Sequence, residues 1–350
     1  MMNFENISGF DKIKAFIRSR LWFSYRKNFQ PIGGNGPTTD QGWGCMLRCG
    51  QMLLGQALIV LHLGSDWLWQ TDPRNRTYMR ILKMFQDKKE CNFSIHQIAQ
   101  MGVSEGKQIG EWFGPNTVAQ VLKKLVVYDR WSRIAVHIAL DNVLIMSDVM
   151  TIAHLKPPIE LLNLNGNEWR PLLLIVPLRL GLTTINRCYL PAIQEFFKLP
   201  HSLGIIGGRP NHALYFIGIA GDRMIYLDPH VCQDYADLDK LHLETIQLTT
   251  EPFEDSTYHC PFIMNMPYEN LDPSLALAFI CKTEKELSDL WRLLKENLLV
   301  ASSPPLFELL ETRPKGFPKF IPYFGEKVVI KGYTDLGDVY DSYDEFEILE

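Results

Sequence analysis

The chain has 350 residues, is 46% hydrophobic and 21% charged, and carries a formal net charge of −5 at pH 7. That composition excludes a disordered chain and allows one large core or two smaller ones. Seven acidic residues (Asp335, Asp338, Asp341, Asp344, Glu345, Glu347 and Glu350) crowd 334–350 without a Lys or Arg, and removing them leaves the rest at +2, which speaks against a nucleic-acid surface.

The N-terminal residues Met1 to Asn6 lack the basic start and apolar stretch of a signal peptide, so the expected compartment is the cytoplasm. The seven cysteines are irregularly spaced with no CxxC pair, which argues against a disulfide framework or a structural zinc site. Residues 9–30 mix aromatic and basic side chains, and the glycine cluster from Pro31 to Pro37 reads as a loop. No Gly-Lys-Ser/Thr follows it, so it is not a phosphate loop. Next come Gln41-Gly42-Trp43-Gly44-Cys45 and an apolar run through Leu63. This predicts a buried helix, shorter than a bilayer requires. A second helix is expected from Thr71 to about Gln86, and a third after the loop Gly110–Thr117, with Val118, Val121, Leu122 and Leu125 on its apolar face.

Residues 133–147 predict strands around a turn near Asp141-Asn142, and Arg170–Leu182 predicts another strand. Pro191–Phe197 reads as helical. Ala213–Ile219 and Met224–Asp228 read as a hairpin joined through Ala220–Arg223. Thr283-Glu-Lys-Glu286 is a capping box opening an amphipathic helix with Leu287, Leu290, Trp291, Leu294 and Leu298 on one face. The mixture gives an α/β class of the α+β kind. Residues 1–330 form the expected main domain, with an appended subdomain at roughly 127–190, followed by an acidic, disordered tail at 331–350.

Chemistry centres on Cys45. Gly42 and Gly44 allow a sharp turn, which puts the thiol in the first helical turn, where outward N–H groups and the helix dipole favour a thiolate. The same N–H groups suit an oxyanion formed by attack on a carbonyl. A thiol nucleophile needs an imidazole and a group to orient it. Asp228-Pro229-His230 supplies both, since side chains two apart in an extended segment face the same way. His212, entering the preceding strand after Asn211, is the alternative base, with Asp228 across the hairpin. A metal reading of Asp228, His230 and Cys232 lacks a fourth ligand. Cys49, one turn after Cys45, is expected to pack, because an i,i+4 disulfide is strained in a helix.

Gly42–Met52 and Tyr226–His230 closely resemble the autophagins, autophagy cysteine peptidases that act on ubiquitin-like modifiers of the GABARAP and light-chain types. Further matches are Ser19–Phe23, Tyr25–Phe29, Trp112 with Gly114–Val118, Val176–Gly181, Gly207-Gly208 and Pro210-Asn211, so the resemblance covers roughly residues 17–280. It is strongest to the shorter autophagins. The resemblance implies a papain-like fold with a small "short fingers" subdomain and a triad of Cys45, His230 and Asp228. It also implies that Tyr25 lends its hydroxyl to the oxyanion hole, and it makes His212 the lesser candidate for the base. A regulatory loop at Ile206-Gly207-Gly208-Arg209-Pro210 and the side chain of Trp112 would cover the nucleophile and clamp a slender glycine terminus. Phe346 and Leu349, after acidic Asp344 and Glu345, match the tail pattern that binds modifiers by strand addition. The implied reactions are cleavage of a modifier precursor after a glycine and release of the modifier from phosphatidylethanolamine. No cofactor or metal is required, and membrane contact is expected only through lipidated substrate. A general papain-like or ubiquitin-specific thiol peptidase and a silent modifier-binding scaffold are the alternatives.

Overall fold

The computed structural model describes residues 9–69, 75–155, 169–240, 255–323 and 325. Its helices are α1 (Gly9–Arg18), α2 (Cys45–His62), α3 (Arg76–Lys83), α4 (Ile95–Met101), α5 (Pro115–Leu125), α6 (Met146–His154), α7 (Leu190–Phe196) and α8 (Glu284–Leu293), the last continued by a π-helical turn, Leu294–Leu298. The strands are β1 (Tyr25–Lys27), β2 (Ala135–Ile138), β3 (Val143–Ile145), β4 (Leu172–Arg179), β5 (Ser202–Arg209), β6 (His212–Ala220), β7 (Arg223–Leu227), β8 (Cys232–Asp234), β9 (Met264–Pro267), β10 (Ser274–Cys281) and β11 (Glu308–Leu310). Seven of them form one sheet in the order β2-β4-β10-β5-β6-β7-β9, and the pairs β1-β8 and β11-β3 stand apart. Only the β2-β4 pair within the large sheet is parallel.

Two cores lie on opposite faces of this sheet, and the strands divide their side chains between them with period two. Leu173 and Ile175 of β4 join the core around α2, α4 and α5, whereas Leu172, Leu174 and Val176 join the core around α7 and α8. In β10, Ala276, Ala278 and Ile280 face the first core while Leu275, Leu277 and Phe279 face the second. Burial on both faces makes these strands read as unbroken apolar runs. Half of the expected capping box forms: Thr283 accepts the Glu286 N–H at 3.2 Å, while the Glu286 carboxylate accepts the Lys282 N–H at 2.6 Å rather than that of Thr283, and the stripe from Leu287 to Leu298 is buried in the second core.

Two helix expectations need adjusting. The central helix α2 is long and apolar enough, by length and composition, to cross a membrane, so length alone does not exclude a span. Its window is 83% buried inside the protein, which assigns it to the core. The helix expected from Thr71 is described from Arg76, where the Asn75 side chain accepts the Tyr78 N–H at 2.9 Å; residues 70–74 lie outside the described residues. The 127–190 stretch places β2 and β4 in the large sheet beside β10, while β3 pairs with β11. The tail, with Phe346 and Leu349, lies outside the described residues.

Helix α2 rests on β5 and β6 and holds a charge inside the first core. The Arg48 side chain is 2% exposed and bonds Asp40 at 2.8 and 3.0 Å, Asp87 at 2.8 Å and Gln51 at 3.0 Å. Removing one partner from such a network strands the others without water, at a cost of about 3–5 kcal/mol. We therefore expect Arg48→Met to lower unfolding free energy by about that amount in denaturant titration. A change below about 1 kcal/mol would show the pairs to be as weak as surface ones.

Candidate active site

Asp40 builds the entrance to α2. Its carbonyl accepts the N–H groups of Trp43 at 3.2 Å and Gly44 at 2.8 Å, and its carboxylate accepts the Arg26 N–H at 2.7 Å besides holding Arg48. The two glycines serve different needs. Gly42 has φ +88°, a conformation costly for other residues, whereas Gly44 needs space, since a Cβ there would lie 2.3 Å from Asp40 Oδ2. Cys45 follows as the first residue of the helix, 2% exposed, with its N–H pointing out of the helical ladder.

Asp228 and His230 sit in the turn that follows β7. They meet through that turn rather than through the extended alternation expected from the sequence. Asp228 Oδ1 accepts the His230 backbone N–H at 2.9 Å and faces His230 Nδ1 at 2.6 Å, so one oxygen shapes the turn and orients the ring. The start of the chain clamps this turn. Trp22 Nε1–H donates to the Asp228 carbonyl at 2.7 Å, the Tyr25 N–H donates to the Pro229 carbonyl at 2.8 Å, and β1 runs parallel to β8 with Tyr25 opposite Cys232.

These elements converge on the Cys45 sulfur. It is hydrogen-bonded to His230, to Trp112 Nε1 at 2.9 Å, to the Ala213 backbone N–H and to the Tyr25 hydroxyl, which also receives the Gly42 N–H. Burial pushes the thiol up, but the bonds from His230, Trp112, Ala213 and Tyr25 outweigh it and hold Cys45 below the usual thiol range. Burial also works against charge on His230, yet the bond to Asp228 and the pairing with Cys45 raise it to about 9. For Asp228, burial is likewise overcome by its bonds to His230, which hold the carboxyl below the usual range. These shifts all act in the direction of a thiolate–imidazolium pair backed by a carboxylate. Tyr25 is driven up, first by burial and then by the neighbouring sulfur charge, and stays a hydroxyl donor.

Trp112 lies across the sulfur, 44% exposed, while its neighbour Phe113 is 1% exposed and anchors the loop. The segment Gly207–Pro210 is not the loop expected: Gly207, Gly208 and Arg209 belong to β5, paired with Leu214, Ala213 and His212 of β6, and only Pro210-Asn211 turns. It still borders Cys45, because Ala213, the partner of Gly208, donates its N–H to that sulfur. Cys49 is fully buried and free, and burial followed by the charges of Cys45 and Asp228 push its thiol well up, so it packs as an inert hydrophobe. The ligand atoms of His212, Asp228 and His230 lie within 4.8 Å of one another. The two rings are stacked, however, and their lone pairs run in parallel planes instead of meeting at an ion, so the group suits hydrogen bonding. Sequence reasoning did not find the roles of Trp22 or Ala213. Arg48 carried a signal, as the one charge within the apolar run that follows Cys45.

A family model described as the peptidase C54 catalytic domain matches residues 10–293. The chain is 46% identical to cysteine protease ATG4A of Xenopus laevis over 358 residues, which cover 96% of this chain and 88% of that protein. It is 45% identical to cysteine protease ATG4A of Homo sapiens over 365 residues, covering 97% and 89%. Cysteine protease ATG4B of Gallus gallus is 44% identical over 374 residues, covering 97% and 90%.

The ion pair has a defined pH window. Because His230 is raised to about 9, its contribution to stability is complete below the ordinary histidine range and is lost as pH rises through about 9. Iodoacetamide should alkylate Cys45 well below the ordinary thiol range, and His230→Ala should slow this at neutral pH by on the order of tenfold or more. Equal rates in the two proteins would remove the pair.

Proposed function

The chain belongs to the autophagin family, peptidase family C54, and is a cysteine protease of the autophagy pathway; from that premise we propose that it hydrolyses the amide after a C-terminal glycine of ubiquitin-like autophagy modifiers of the GABARAP and light-chain types. The same chemistry serves a peptide precursor and a modifier joined to phosphatidylethanolamine, because both present a glycine carbonyl bonded to an amine. The observation that carries the reading is the Cys45 sulfur, hydrogen-bonded to His230 and covered by Trp112. A nucleophile under an indole favours a slender glycine terminus, and Trp112 swings aside as the substrate enters.

In this reading the Cys45 thiolate attacks the glycine carbonyl, and the oxyanion is held by the Tyr25 hydroxyl and the Cys45 N–H. His230 gives its proton to the leaving amine as the C–N bond breaks, leaving a thioester on Cys45. It then takes a proton from water, whose hydroxide attacks the thioester and releases the glycine carboxylate. Asp228 keeps the ring oriented throughout. The strand edge Gly207, Gly208 and Arg209, with Pro210, flanks the entering terminus, and Phe346 and Leu349 of the tail add a second contact to the modifier. We place the activity in the cytoplasm, on one peptidase body at 1–330 that includes the 127–190 stretch, with 331–350 as a binding tail. Every catalytic step uses side-chain or backbone groups of the protein and water, so no cofactor is invoked.

Incubation with a GABARAP-type precursor should yield a product ending in glycine, and Cys45→Ala should abolish it. Cleavage by that variant would reject the nucleophile, and faster cleavage of ubiquitin fusions would favour a ubiquitin-specific peptidase. Binding without turnover by the unaltered chain would favour the scaffold reading. Separately, Phe346→Ala should weaken modifier binding by about tenfold in calorimetry; an unchanged affinity would remove the tail contact.

A further inference from the structure

We propose that His212 is a positioning residue for the base: its ring lies as a plate on the face of His230, restrains that ring's rotation and excludes water from the ion pair. The proposal rests on the triad assigned above and adds a residue to it. The two rings stack at 3.5 Å between centroids and 11° between planes. Asp228 serves both, with Oδ1 on His230 at 2.6 Å and Oδ2 at 3.5 Å from His212 Nε2. Tyr25 meets His230 edge-on, with centroids 5.3 Å apart at 82°. The imidazole is thus held by a carboxylate at one nitrogen, the sulfur at the other, a flat ring on one face and the Tyr25 ring set nearly perpendicular to it.

A plate of this kind works only while it is uncharged, because two stacked imidazolium rings repel. Burial, then the charge on His230, hold His212 below the ordinary histidine range; Arg209 acts in the same sense and Asp228 against it. The groups facing the pair are therefore Asp228, Cys45, Tyr25 and Arg209, and their balance leaves His230 charged and His212 neutral.

The backbone fixes the plate. His212 is paired with Arg209 across the Pro210-Asn211 turn, and a Cβ on Gly208 would lie 2.0 Å from the His212 carbonyl oxygen. The next residue, Ala213, donates its N–H to Cys45. Two successive residues of one strand thus hold the base and the nucleophile, and the hairpin edge that we assign to substrate contact is joined directly to them.

The test uses the full chain with His212→Ala, His212→Asn and His212→Phe, each checked for an unchanged denaturation midpoint. Two quantities are read: kcat and KM on a modifier precursor, and the pH profile of Cys45 alkylation by iodoacetamide. In His212→Ala and His212→Asn, kcat should fall by on the order of tenfold while KM stays within about twofold. Their alkaline transition should move down toward the ordinary histidine range. His212→Phe keeps a flat ring and should recover most of the lost kcat and the alkaline transition. Wild-type kcat and profile in His212→Ala overturn the proposal, as does a His212→Phe protein as impaired as His212→Ala. His230→Ala separates the two readings: if it too keeps the wild-type profile the triad itself fails, and if it alone loses the profile only the role of His212 fails.

Discussion

A buried thiol held below its usual range is the constraint around which this site is arranged. Burial alone would protonate Cys45, as it does Cys49 one turn further along the same helix. What separates these two thiols is the ring of donors at the first: His230, Trp112, Ala213 and Tyr25, each delivered by a different part of the chain. The charge on His230 is sustained in turn by Asp228, whose carboxylate also shapes the turn that carries the histidine. Cys45 and His230 are thus mutually stabilising, and neither is expected to keep its state without the other.

The remaining fold supplies rigidity to that arrangement. Helix α2 leans on β5 and β6, so Cys45 and the Ala213 N–H are set by one packing interface. Asp40 and Arg48 lock the helix entrance to Asp87, while the Arg26 backbone N–H ties Asp40 to β1. A buried ionic network here is costly to desolvate and highly directional. That directionality suits a site whose hydrogen bonds must stay within a few tenths of an ångström. Trp112 is the exception in kind, being 44% exposed on a loop anchored by Phe113.

Much of this was legible in the residues. Gly42-Trp43-Gly44-Cys45 before an apolar run announced the helix entrance, and the β6-β7 hairpin and the Thr283 N-cap of α8 followed from local chemistry. The central strand β10 did not stand out, because Ser274–Cys281 is buried on both faces and its alternation is hidden among apolar residues of unequal size. The meeting of Asp228 with His230 was foreseen, but through an extended geometry; a turn closed by the Asp carboxylate achieves it instead. The Ile206–Pro210 segment was expected as a loop from the family resemblance, yet Gly207–Arg209 is paired strand, where glycine is accepted because another backbone comes close. Long-range partners such as Trp22 and the Asp228 carbonyl, 206 residues apart, leave no local trace at all.

The most direct measurement is the mass of the protein during turnover on a modifier precursor, with the reaction acid-quenched in its first seconds. The account requires an adduct equal to the modifier joined as a thioester through its terminal glycine, mapped to Cys45 and discharged by hydroxylamine. Complete cleavage with no such adduct under conditions that preserve a thioester, or an adduct that persists in Cys45→Ala, would contradict it.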